Sequence, residues 1–120
     1  MMEFTVEVPG LPLSVNKAYR GRRFKTKELT SYKAFVGSHM GNMHTPVGKL
    51  SVEVDLISDD WMCKNGNVKK RDIDNCLKTL LDSIFSCLDT DDSYIWDLKV
   101  RKVDGPIQKT VVRIYELELQ

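Results

Sequence analysis

In Arg71-Asp72-Ile73-Asp74-Asn75-Cys76-Leu77-Lys78-Thr79-Leu80-Leu81-Asp82-Ser83-Ile84-Phe85-Ser86-Cys87-Leu88, the apolar residues Ile73, Leu77, Leu80, Leu81, Ile84 and Leu88 recur at offsets of 4, 7, 8, 11 and 15. That spacing draws one stripe along an α-helix and is the firmest periodic signal in the chain. Asp72 or Asp74 stands where a cap can accept the free amides of the first turn. Away from the stripe, Asp74, Lys78 and Asp82 follow at i, i+4 and i+8, so their side chains share one face. The flanking sequence changes period. Upstream, Leu50, Val52, Val54 and Leu56 alternate with Ser51, Glu53 and Asp55; downstream, Trp96, Leu98 and Val100 alternate with Asp97, Lys99 and Arg101. Both read as half-buried strands.

Further out, Phe4, Val6 and Val8 mark a first strand closed by Pro9-Gly10, and Val111 to Leu119 gives a last one after the turn at Asp104-Gly105-Pro106. Leu29, Tyr32, Phe35, Val36 and Met40 fall at helical spacing from about Glu28 to Met40, a helix that Gly37 weakens and Gly41 can end. Residues 58–71, with Asp59-Asp60 and Asn65-Gly66-Asn67, read as a polar loop. The predicted order is β-α-β-α-β-β, an α+β fold with a mixed sheet packed against two helices. At 120 residues the expectation is a single domain spanning 1–120 with one hydrophobic core. With 42% hydrophobic and 29% charged residues the chain is not of the disordered class. The N-terminus lacks a basic stretch and an apolar run, and no membrane span is present, so a cytoplasmic location is expected. Cys63, Cys76 and Cys87 are odd in number and have no CxxC spacing, so they read as free thiols rather than as a disulfide framework or zinc knuckle.

The net charge is only +1, yet it is unevenly spread. Lys17, Arg20, Arg22, Arg23, Lys25, Lys27 and Lys33 face a single acid, Glu28, within residues 17–33; Lys64, Lys69, Lys70 and Arg71 face none within 64–71. The remainder is acidic, with Asp72, Asp74, Asp82 and the pair Asp91-Asp92 as its densest part. Gathered carboxylates repel one another, so a fold that collects them has a cation to hold or a proton to share. Two basic segments beside such a cluster suit a polyanion gripped by its phosphates while one phosphate meets a metal ion. The same aspartates also suit a helix cap, an ion pair with Lys78 and a polar turn. The EF-hand pattern fails, since Leu77 and Ser83 occupy its glycine and glutamate positions counted from Asp72. No P-loop, GxSxG or HExxH is present, and His39 and His44 are spaced to opposite sides of a helix.

Arg71-Asp72-Ile73-Asp74-Asn75 with Lys78 and Asp82, then Asp91-Asp92-Ser93 after a helix-length gap, resembles the RusA-type Holliday junction resolvases, small endodeoxyribonucleases often encoded by phages and prophages. Pro9-Gly10-Leu11-Pro12 with Asn16 and Tyr19-Arg20 is similar to that family's N-terminal strand and basic loop. The resemblance implies that Asp72, Asp74 and Asp92 are catalytic carboxylates binding Mg²⁺, with Mn²⁺ able to substitute, that Lys78 is the assisting cation, and that Asp91 is a helper or substitute for Asp92. It implies a homodimer that nicks a four-way junction or other branched DNA symmetrically, in recombination and repair in the bacterial cytoplasm. From charge and nearness to the motifs, Asn16, Arg20, Arg22, Arg23, Lys25, Lys70 and Arg71 are candidates for DNA phosphate contact. Trp61 reads as a loop anchor or as a platform for an unstacked base. The alternatives are a non-catalytic DNA-binding module of the same fold, or a nuclease acting on flap DNA or RNA.

Overall fold

Alternation of apolar and polar residues builds the sheet. In the computed structural model, which describes residues 3–14, 19–20, 24–41, 43–69 and 73–117 and only the backbone of 19, 20, 24, 25 and 75, strand β1 (Glu3–Pro9) buries Phe4, Val6 and Val8 and exposes the residues between. It pairs antiparallel with the last strand, β6 (Lys109–Glu116), from Glu3 opposite Tyr115 to Pro9 opposite Lys109. Strand β4 (Leu50–Ser58) lies at the centre, antiparallel to β6 and parallel to β5 (Ile95–Asp104). The four-stranded order is β1-β6-β4-β5. This mixed sheet and the two helices give the α+β architecture expected from the sequence.

A parallel pair needs a long crossover, and the stretch between β4 and β5 supplies it. It contains α2 (Asp74–Cys87), which buries Leu80, Leu81, Ile84 and Phe85 in the core. Helix α1 (Lys27–Ser38) packs beside α2 and buries Leu29 and Val36. Thr26 caps α1 by accepting the Leu29 amide at 3.3 Å, so this helix begins earlier than Glu28. Gly37 stays inside the helix for a packing reason: a Cβ there would stand 3.3 Å from Cys87 Sγ, so its absence lets the two helices approach closely.

One element was not legible beforehand. Tyr19–Arg20 (β2) and Phe24–Lys25 (β3) pair antiparallel within the basic passage that reads as irregular in the sequence. In the loop after β4, Trp61 is 7% exposed and its indole N–H donates to the Val103 carbonyl at 2.9 Å. It ties the loop to β5, so the anchor reading holds and base stacking is excluded by its burial. The three cysteines are free, and burial raises the thiol pKa of Cys76 and Cys87. No helix among the described residues is long and apolar enough to cross a membrane.

Candidate active site

The end of α2 decides where Asp91 and Asp92 go. Asp89 sits at φ 56°, in the left-handed region, just past the Leu88 cap. Its amide donates to the Ser86 carbonyl at 3.3 Å and the Thr90 amide donates to Phe85 at 3.1 Å, the doubled closure of a Schellman turn. Thr45, between α1 and β4, adds a hydroxyl bond to the Leu88 carbonyl at 2.8 Å. The chain therefore reverses at once and runs back along the helix it has just left. Asp91 then accepts the Ser93 amide at 3.1 Å, capping a 3-10 turn (Asp92–Tyr94) that packs against α2 before β5 begins.

The reversal closes a cleft of about 330 Å³ lined by Lys33 of α1, Asp82, Phe85 and Ser86 of α2, and Thr90, Asp91 and Asp92. Three carboxylates and one lysine line it, with Phe85 among them. Asp92 is held above its ordinary carboxylate pKa, first by partial burial, then by its hydrogen bond with Asp91 and by repulsion from Asp82 and Asp91. Asp91 is held below its ordinary value, first by the hydrogen bond from the Ser93 amide and then by its side-chain hydrogen bond with Asp92. The neighbours of Asp92 favour a positive partner there, and an oxygen-only donor set suits magnesium, which takes one or two protein carboxylates. Among the described residues no three acidic, His or Cys side chains are placed to hold one metal ion together.

The residues singled out in the sequence fall as follows. Asp74 is the first residue of α2 and exposed; it does not cap the helix, because Ile73 occupies that position with helical backbone angles and no side-chain bond. Lys78 is exposed one turn on, and Asp82 half-buried after another. Asp92 comes against α2 at Asp82, and eight residues separate Asp82 from Asp74, about 12 Å along the axis. Asp72, Asn16, Arg22, Arg23, Lys70 and Arg71 lie outside the described residues. Arg20 and Lys25 fall on the β2–β3 hairpin, whose backbone alone is described.

Two residues of the cleft were not singled out for it. Asp82 carried a signal, its place on the face of Asp74 and Lys78. Lys33 carried only its membership of the basic run, and its position opposite Asp82 comes from the packing of α1 on α2.

The family model described as Endodeoxyribonuclease RusA matches residues 11–115. The chain matches no curated protein.

Proposed function

Because the chain belongs to the RusA endodeoxyribonuclease family, we propose that it is a magnesium-dependent nuclease that resolves Holliday junctions and related branched DNA by paired, symmetric phosphodiester hydrolysis. The observation that carries the reading is the return of Asp91 and Asp92 onto α2 beside Asp82, which places acid from two parts of the chain in one cleft.

The family resemblance gives Asp72, Asp74 and Asp92 as the residues that would hold the ion; Asp92 lies beside Asp82 and Asp91, and Asp74 stands about 12 Å from Asp82 along the α2 axis. When bound, magnesium makes water a better nucleophile and neutralises charge on the scissile phosphate and leaving oxygen. Lys78, exposed on the face that carries Asp74, neutralises charge developing on a non-bridging phosphate oxygen. Lys33 of α1 also lines the cleft and would present a second cation to the DNA backbone. Asn16, Arg20, Arg22, Arg23, Lys25, Lys70 and Arg71 position the duplex arms through phosphates, so selectivity comes from junction shape rather than base sequence. A homodimer supplies two sites for the two strands that must be cut, and twofold symmetry of enzyme and junction match. The working place is the cytoplasm of a bacterium, with the gene carried by a phage or prophage.

The test offers labelled four-way junction, flap, linear duplex and single-stranded RNA to the protein at equal concentration. Faster, paired cutting of the junction is expected. Equal or faster cutting of the flap or RNA would replace the substrate assignment, and junction binding without any nicking would leave the non-catalytic DNA-binding reading.

A further inference from the structure

A short hairpin stands between β4 and the start of α2. Met62 pairs antiparallel with Val68, the Cys63 amide donates to the Asn67 carbonyl at 2.6 Å, and the Lys69 amide donates to the Trp61 carbonyl at 2.9 Å. Met62 and Val68 therefore sit between two hydrogen-bonded rungs, where cross-strand side chains stand closest and on one face. They are 49% and 64% exposed, on a tip whose residues 64–67 are exposed and polar or glycine. The tip is fixed: the Gly66 amide closes a turn onto the Cys63 carbonyl at 3.0 Å, with Gly66 at φ 88°, and the Asn65 side chain accepts the Asn67 amide at 3.1 Å. So is the base, through the Trp61 indole on Val103 and the ion pair of Lys69 with Asp60. We propose that Met62 and Val68 form a wedge that enters the base step opened at a DNA branch point, so that this hairpin, and not phosphate contact alone, sets the preference for branched over linear DNA.

Charge and position name DNA as the occupant. From Met62 to Arg71 the chain carries Lys64, Lys69, Lys70 and Arg71 and no acid, which suits a polyanion around the apolar pair. The hairpin also stands at the end of α2 that carries Asp74. Lys102 of β5 lies with its ammonium 5.1 Å from the centre of the Trp61 ring and is within electrostatic reach of the Cys76 thiol, in the first turn of α2. DNA brought to Asp74 therefore passes the hairpin.

Energetics supply the discrimination. Apolar side chains, methionine among them, enter DNA between base steps, and an intact duplex must first be unstacked to admit them. A step at a branch point has already lost part of its stacking, so it costs less to enter. Because the hairpin is held at tip and base, little ordering of the protein is charged against that entry.

The proposal rests on the reading of the chain as a nuclease of branched DNA, but its test reads base stacking and binding, not cutting. Four-way junctions carrying 2-aminopurine at the branch point, or in the middle of one arm, are titrated with protein in EDTA. The wild type is compared with Met62→Gln/Val68→Thr, which keeps side-chain size and adds polar atoms, and with Met62→Leu/Val68→Ile, which stays apolar; circular dichroism and melting temperature confirm that each is folded. The wild type and the apolar double variant are expected to raise the fluorescence at the branch point and not in the arm. The polar double variant is expected to bind linear duplex as the wild type does, to leave the branch-point signal unraised, and to lose about tenfold or more of the preference for junction over duplex. A wild type that leaves the branch-point signal unchanged or does not bind the junction, a polar variant that prefers the junction as strongly as the wild type, or an apolar variant as impaired as the polar one would each overturn the proposal. Unstacking as expected without any nicking in Mg²⁺ leaves the wedge standing and removes the nuclease reading alone; nicking without unstacking does the reverse.

Discussion

Asp92 and Asp55 show how neighbours decide what a carboxylate does. Asp92 has two aspartates near it and its pKa is raised; Asp55, on the outward face of β4, has two arginines and its pKa is lowered, chiefly by the Arg101 hydrogen bond. Arg101 Nε and Arg113 Nη1 donate to Asp55 oxygens at 2.5 and 3.2 Å. Because the folded value of Asp55 lies below its ordinary 3.8, the stability it contributes is present above that pH and is lost as pH falls through the folded value. Asp55→Asn is therefore expected to cost about 2 kcal/mol at neutral pH and to flatten the acid limb of a urea-midpoint-against-pH curve; an unchanged acid limb contradicts the assignment. Gly105 is fixed by space rather than charge, since a Cβ there would stand 2.4 Å from Ile57 Cγ2. Gly105→Ala should cost about 1–3 kcal/mol, the penalty of overpacking, measured by thermal or chemical unfolding.

Element placement was legible wherever one period ran unbroken. The α2 stripe and the alternation in β1, β4 and β5 foretold those elements because burial on one face forces the pattern. The β2–β3 hairpin was not legible: two residues per strand are too few to show alternation, and the basic side chains between them carry no apolar signal. Nor was the exposure of Trp96 and Leu98, since alternation reports a strand's two faces but not whether a helix covers one of them. The site was legible in its residue types and in part in its geometry. The helical face was plain, while the reversal that brings Asp92 to Asp82 depends on left-handed Asp89, a position where glycine is the common signal and is here missing. Asp89→Gly is expected to raise stability by about 0.5–1 kcal/mol with nicking retained, whereas Asp89→Val should lower stability and nicking together, because a β-branched residue resists that conformation. Equal melting temperatures for the two variants would argue against the turn as the device that returns Asp92.

Over the whole molecule, the two helices pack against each other, and the candidate site lies where the second helix hands the chain back to β5. Edge and site are thus continuous in sequence: Asp91 and Asp92 lead through the 3-10 turn directly into the strand that carries Trp96 and Leu98. The most direct measurement is strand cleavage of an end-labelled four-way junction with and without Mg²⁺, by the wild type and by Asp74→Asn and Asp92→Asn proteins of matched thermal stability. Paired, symmetric nicks that need magnesium and fall by at least about a hundredfold in both variants are predicted. Nicking that persists without divalent metal, or at wild-type rate in the Asp92→Asn protein, would contradict the account.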